Sequence, residues 1–111
     1  MKSYGMTLDL KDDPETRAKY IEYHRAVWPD VLDGLRGVGI TGMKIYLHGP
    51  RLFMYMEAED DFVPDRDFSK YMETGRAREW DELMRTFQQP VPDASPGDWW
   101  SEMDEVFDLD W

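Results

Sequence analysis

The side chains of this sequence best suited to chemistry are Tyr20, His24 and Trp28, which recur at every fourth position. On a helix that spacing puts all three on one face. A histidine there can act as a general acid or base near neutral pH, and the rings beside it can pack against the apolar face of a sugar or another flat ligand. The same spacing is also typical of a core histidine with aromatic neighbours, and spacing alone favours that structural interpretation.

Other catalytic groups are scarce in the sequence. The second histidine, His48, precedes Gly49-Pro50 and is expected to be a solvated turn residue. The chain contains no cysteine, which excludes disulfides, thiolate nucleophiles and cysteine-based metal sites. Two histidines are too few for a three-histidine metal site within one chain. The sequence also lacks glycine-rich phosphate loops and the signatures of serine hydrolases and zinc proteases.

The composition indicates one acidic globular domain over residues 1–111. Thirteen Lys and Arg against twenty-four Asp and Glu give a net charge of −11. This excess of acids argues against nucleic-acid binding and, less strongly, against an anionic substrate. A hydrophobic content of 41% is enough for a packed core. No apolar run reaches the length of a membrane span and no signal peptide is recognisable, so we expect a cytoplasmic protein without a membrane partner.

The first part of the chain predicts a strand followed by two helices. Residues 3–10 alternate apolar side chains with others, as a half-buried strand does. Asp13 and Pro14 have the residue types of a helix N-cap and first helical position. Pro29 is expected to interrupt that helix and to begin a short second one.

The middle of the chain predicts a β-hairpin and a helical region. Strands over 40–47 and 52–59 flank the turn that contains Gly49-Pro50. A short helical piece is expected between 62 and 71. A longer helix then opens at Thr74-Gly75 and carries Trp80 at the start of its apolar stripe, where a core position is the plain interpretation.

The end of the chain predicts one more strand, over residues 101–109, in which apolar and acidic side chains alternate. The resulting order β-α-β-β-α-β predicts an α+β, ferredoxin-like fold, with an antiparallel sheet and helices on one face. Because such a sheet leaves its other face open, we expect a homodimer. The acidic segment 86–111 contains Trp99, Trp100 and Trp111 and is expected to pack, plausibly across the dimer.

Several stretches resemble the L-rhamnose mutarotase family, in matching order from about residue 2 to residue 109. They are Tyr20-Ile-Glu-Tyr-His24-Arg-Ala-Val-Trp28-Pro29, the segment from Gly39 to Leu47, Glu79-Trp80, and Pro96-Gly-Asp-Trp99-Trp100-Ser-Glu-Met-Asp-Glu105-Val-Phe107. The resemblance implies a dimeric α/β barrel that interconverts the α and β anomers of a 6-deoxy-hexose. L-rhamnose is the first expectation and L-fucose the second. The resemblance implies neither a metal nor an organic cofactor.

The resemblance also implies roles for particular residues. His24 falls on the family's proton donor, Tyr20 on a tyrosine that contacts sugar, and Trp80 on the second member of a sugar-contacting tryptophan pair. Glu79 replaces the first member of that pair. Met43 replaces a family tyrosine, and we hypothesise that it forms an apolar wall for the 6-methyl group. The base that complements His24 stays open between Tyr20, a carboxylate and water.

Two other functions stay open at this point. One is a different dimeric α/β-barrel enzyme, such as a small monooxygenase or a haem-degrading protein, in which the helix histidine would bind iron. The other is a non-catalytic binding or stress-response barrel, in which His24 would be structural.

Overall fold

Four helices and five strands follow one another in the computed structural model, which describes residues 1–111. Their bounds are β1 Lys2–Leu10, α1 Pro14–His24, α2 Pro29–Gly37, β2 Ile40–His48, β3 Arg51–Ala58, α3 Pro64–Tyr71, α4 Ala77–Arg85, β4 Gln88–Gln89 and β5 Ser101–Met103. None of the helices is both long and apolar enough to cross a membrane.

The strands form one antiparallel sheet in the order β2-β3-β1-β4, and β5 pairs with the same edge of β1 as β4 does. The register places Met54 of β3 opposite Met6 of β1 and Ile45 of β2. This is the strand order of a ferredoxin-like sheet, with β4 and β5 sharing the place of its last strand. The predicted α+β fold is therefore confirmed.

The two helices that were predicted to begin at prolines, α1 and α2, are also confirmed. Asp13 caps α1, because its Oδ1 accepts the Glu15 backbone N–H at 3.2 Å and its Oδ2 accepts the Thr16 hydroxyl at 3.1 Å. Pro14 then occupies the first helical position, where a missing N–H costs nothing. Pro29 begins α2, so the chain turns between His24 and Pro29.

The core lies between the helices and one face of the sheet. The alternating side chains of β3 show this most clearly, because its even-numbered residues are buried while Phe53 is exposed. Two groups of buried side chains fill the core: Leu10, Tyr20, Val31, Leu52, Tyr71, Ala77, Trp80 and Met84 in one, and Ile40, Met56, Ala58 and Phe62 in the other.

The predicted last strand is wrong in its length. β5 ends at Met103 instead of residue 109, and Val106, Phe107 and Leu109 are exposed. Alternation is expressed as a strand only where a neighbouring strand pairs with the segment, and the pairing with β1 ends at Met103. β4 was not predicted, because two residues are too few to show a period. The predicted start of α4 at Thr74-Gly75 lies before its first residue, since Gly75 takes a left-handed φ of 43° in the turn.

Candidate active site

A cavity with a volume of about 960 Å³ lies between the helices and the covered face of the sheet. All four site residues predicted from the sequence line it: Tyr20, His24, Met43 and Trp80. They come from α1, β2 and α4, so the fold brings together side chains that are up to sixty positions apart. His48, by contrast, is exposed at the end of β2 and does not line the cavity, as expected for a solvated residue.

His24 is the last residue of α1, and its ring has one free nitrogen. Nδ1 lies 2.8 Å from the backbone carbonyl oxygen of Tyr20. A carbonyl oxygen only accepts, so Nδ1 carries the hydrogen and Nε2 is left for a ligand. Burial lowers the pKa of His24 below 6.5, against the opposing effect of the hydrogen bond to Tyr20. The neutral imidazole, with a lone pair on Nε2, is therefore the main form above pH 6.5.

Aromatic rings surround the imidazole. The Tyr20 ring lies 4.2 Å from it, centroid to centroid, and the Trp80 ring meets it edge to face at 5.5 Å. Trp80 also meets Trp28 at 5.1 Å, and the guanidinium of Arg76 covers the Trp28 ring at 3.9 Å. The predicted one-face arrangement is therefore correct for Tyr20 and His24 and wrong for Trp28, because α1 ends at His24 and Trp28 is the N-cap of α2, where it contacts Trp80 of α4. These contacts hold the imidazole in a fixed orientation beside apolar ring faces.

Tyr20 is a neutral hydrogen-bonding group at physiological pH. Its side chain is buried, and burial raises its pKa to about 12, although a hydrogen bond from Gln88 acts in the opposite direction. The Gln88 amide nitrogen donates to the Tyr20 hydroxyl oxygen at 3.5 Å. A phenol with so high a pKa does not release its proton to solvent at pH 7, so Tyr20 is unsuited to be the resting base.

Met43 belongs to an apolar wall on the sheet side of the cavity. It lies opposite Met56 in the hairpin register, on the face that the helices cover. The neighbouring wall residues are Met6, Ile45, Leu47, Leu52 and Met54. Such a surface suits a methyl group better than a hydroxyl, because an unpaired hydroxyl loses its hydrogen bonds to water there.

Charged side chains from the helical part of the chain and from its C-terminal segment also line the cavity. They are Arg25, Arg85, Asp81, Asp98 and Glu102. Asp81 accepts a hydrogen bond from Arg85 Nε at 2.8 Å. Together these groups can donate to and accept from the hydroxyls of a polar ligand. No group of three or more histidine, cysteine or carboxylate side chains is arranged to hold a metal ion.

The family model described as L-rhamnose mutarotase matches residues 3–109. The chain belongs to this family. It is therefore a mutarotase of 6-deoxy-hexoses, an isomerase, and the resemblance found in the sequence is confirmed. A UPF0734 protein of Dictyostelium discoideum is 52% identical, with 99% of this chain and 91% of that protein covered. An L-fucose mutarotase of Xanthomonas campestris is 36% identical, over 98% of this chain and 89% of that protein.

One further relative and one solved structure carry the name L-rhamnose mutarotase. An L-rhamnose mutarotase of Mannheimia succiniciproducens is 29% identical, over 91% of this chain and 93% of that protein. The crystal structure of an L-rhamnose mutarotase from Formosa agariphila superposes with a TM-score of 0.71 at 20% identity, covering 98% of this chain and 99% of that one. At this identity the superposition supports the fold, which the mutarotase chain shares from end to end.

Sequence reasoning missed part of the mutarotase cavity. Gln88 is buried and lines it, yet it belongs to a two-residue strand without periodicity. Trp99 and Trp100 gave a partial signal, since adjacent tryptophans face opposite ways on an extended segment. Trp100 lines the cavity and packs against the core, whereas Trp99 does not line it and instead donates from Nε1 to the Gln88 side-chain oxygen at 2.8 Å.

Proposed function

We propose that this mutarotase binds a 6-deoxy-hexose in the 960 Å³ cavity and that His24 transfers the proton that opens and recloses the sugar ring. One observation carries the proposal: His24 Nδ1 is held by the Tyr20 carbonyl at 2.8 Å, which leaves Nε2 as the free nitrogen of a ring that lines the cavity. A placed side chain that transfers a proton contributes about 10²–10⁴-fold to a rate.

The proton transfers can be written so that each proton is accounted for. Neutral His24 takes the proton of the anomeric hydroxyl through Nε2, the C1–O5 bond breaks, and an aldehyde forms at C1. The Tyr20 hydroxyl gives its proton to the released oxygen, because an alkoxide is a stronger base than a phenolate. After rotation about the C1–C2 bond, O5 attacks the other face of the aldehyde. The imidazolium then protonates the new anomeric oxygen, and Tyr20 recovers its proton.

This sequence of steps includes the donor role that the family resemblance implies for His24. The imidazolium donates in the reclosing half of the reaction, after the neutral ring has accepted the proton in the opening half. The lowered pKa of His24 favours this order, because the neutral form is the one present before the sugar reacts. No outside acid or base is consumed, so the chain returns to its starting state.

The substrate class follows from the two sides of the cavity. The wall that contains Met43 suits the 6-methyl group, while Trp80 and Tyr20 suit the C–H face of the sugar ring. The net charge of −11 agrees with a neutral sugar and disfavours a phosphorylated one. L-rhamnose is the first candidate, given the family. L-fucose is the second candidate. It is supported by the relative that is named for it, which is more similar to this chain than the relative named for L-rhamnose, 36% against 29% identical.

Exchange NMR of the anomeric protons tests this function. We expect the protein to accelerate α/β exchange of L-rhamnose or L-fucose above an enzyme-free blank. L-mannose and L-galactose are the matched control sugars, because they differ from the two substrates only by a hydroxyl on C6. We expect slower exchange for both. Exchange at the blank rate for every sugar would contradict the proposal, and a Soret band after addition of haem would favour the iron-binding alternative.

We also propose that the protein acts as a cytoplasmic homodimer whose open sheet faces meet. Tyr46 and Phe53 stack at 6.2 Å on that face and are 56% and 37% exposed. Phe107 and Leu109, which follow the short β5, are 70% and 85% exposed and would cover part of the same face of a second copy. Light scattering should give a dimer for the wild type and a monomer for Phe53→Asp; a monomeric wild type would contradict the proposal.

A further inference from the structure

We propose that Gln88, oriented by Trp99, is a positioning residue that directs the hydroxyl proton of Tyr20 into the cavity. The inference rests on the proposed function, in which Tyr20 gives a proton to the ring oxygen. It adds a second pair of residues to the site, one of which does not line the cavity at all.

The orientation of the Gln88 amide follows from its two partners. The indole Nε1–H of Trp99 can only donate, and it lies 2.8 Å from the Gln88 Oε1. The amide oxygen must therefore face Trp99, and the amide nitrogen faces the Tyr20 hydroxyl oxygen at 3.5 Å. If the amide were rotated by half a turn, two N–H donors would face each other, which is unfavourable.

The direction of the Tyr20 proton follows from the direction of the amide. Because the hydroxyl oxygen accepts from Gln88, its own proton points away from Gln88. Tyr20 is 3% and Gln88 5% exposed, so bulk water does not compete for this hydrogen bond. No protein acceptor bonds the Tyr20 proton, and the cavity that Tyr20 lines is the space left for it. With the amide reversed, the hydroxyl would donate to Gln88 and would offer the sugar only a lone pair.

A side chain from α4 covers the Trp99 ring. The guanidinium of Arg85 lies 4.8 Å from its ring centroid, and Asp81 fixes that guanidinium through the 2.8 Å hydrogen bond to Nε. The other partner of the hydrogen bond, Gln88, has its backbone paired with Leu10 in the sheet. The indole is thus contacted from α4 and the amide is carried by the sheet, and these contacts set the distance between the two groups.

Three variants and a control test the inference. Gln88→Leu keeps the volume and removes the amide, Trp99→Phe keeps a ring for Arg85 and removes the N–H, and the third variant combines both changes. Gln89→Leu is the control, because the same substitution is made at the exposed neighbouring residue. Initial exchange rates of L-rhamnose and L-fucose give kcat and KM for each protein.

We expect Gln88→Leu to lower kcat about tenfold and Trp99→Phe to lower it severalfold, the size of one hydrogen bond. KM should change less, because the Tyr20 proton moves only in the transition state. The double variant should be no slower than Gln88→Leu, since Trp99 acts through Gln88. Gln89→Leu should match the wild type. The inference would be overturned if the kcat losses of the two single variants multiplied in the double variant. It would also be overturned if kcat were the same in all variants.

A second measurement does not need sugar turnover. In the wild type, the Trp99 indole hydrogen should exchange slowly with solvent, and Gln88→Leu should accelerate that exchange at least about tenfold while Gln89→Leu leaves it unchanged. Equal rates of hydrogen exchange at the Trp99 indole in all three proteins would overturn the inference. If the wild type accelerates α/β anomer exchange of neither L-rhamnose nor L-fucose, the proposed function fails. The role of Gln88 in that function is then overturned, even if the Trp99 indole hydrogen exchanges slowly with solvent.

Discussion

Replacing Trp80 should destabilise the protein and change the pKa of His24 at the same time. Trp80 is 7% exposed and lies edge to face with Trp28 at 5.1 Å, His24 at 5.5 Å and Tyr23 at 6.2 Å. Truncation of a buried tryptophan to alanine costs about 3–5 kcal/mol. At about 4 °C or more per kcal/mol in a domain of this size, Trp80→Ala should lower Tm by at least about 12 °C.

Trp80→Phe is the matched variant, because it keeps a ring in contact with the same neighbours. It should cost about 1–2 kcal/mol, since most of the buried apolar volume and some of the edge contacts persist. Urea unfolding followed by far-ultraviolet circular dichroism gives both values without relying on tryptophan fluorescence. A loss below about 1 kcal/mol for Trp80→Ala, or equal losses for the two variants, would refute the packing argument.

The same substitution tests why the pKa of His24 is low. Burial is the main cause, and the Trp80 ring contributes to that burial. Trp80→Ala should therefore raise the pKa of His24 back toward 6.5, as measured by NMR titration of the imidazole protons. An unchanged pKa would mean that Trp80 does not shield the ring, and would contradict the site geometry.

Three further predictions concern pH and specificity. The exchange rate, corrected for the enzyme-free blank, should be constant above pH 6.5. Below the lowered pKa of His24 it should fall about tenfold for each pH unit, because the neutral imidazole is lost. A rate that rises toward acid pH would contradict the neutral resting form. The pKa of Asp67 is lowered to about 2, first by Arg66 and then by the Val63 N–H. Stability should therefore fall as pH drops from about 4 toward 2, and Asp67→Asn should lack this loss in acid unfolding; an identical profile would be a contradiction. Met43→Tyr should change the ratio of kcat/KM for L-rhamnose and L-fucose severalfold, and an unchanged ratio would refute the apolar-wall hypothesis.

Local patterns predicted the elements that carry the site. The four-residue spacing of Tyr20 and His24 requires only a helix, and Asp13 with Pro14 marks where that helix begins. The hairpin was equally local, because two alternating runs flank one turn. Such features depend on neighbours within a few residues, which is why periodicity and turn chemistry were enough to place them.

The remaining features depend on contacts between distant parts of the chain. Gln88 meets Tyr20 across 68 positions, and no spacing rule connects two such residues. The end of β5 at Met103 depends on whether a neighbouring strand pairs with the residues that follow it, which alternation alone does not reveal. The lowered pKa of His24 likewise comes from burial by the assembled fold, including Trp80 from α4.

Whether His24 transfers the proton in anomer exchange can be tested by comparing the two histidines of the chain. The α/β exchange of L-rhamnose and L-fucose would be measured with the wild type, His24→Ala and His48→Ala, the last removing the exposed histidine outside the cavity. We expect His24→Ala to slow the catalysed exchange about 10²–10⁴-fold, whereas His48→Ala should exchange the sugars at the wild-type rate. Exchange that is as fast in folded His24→Ala as in the wild type would show that another group transfers the proton.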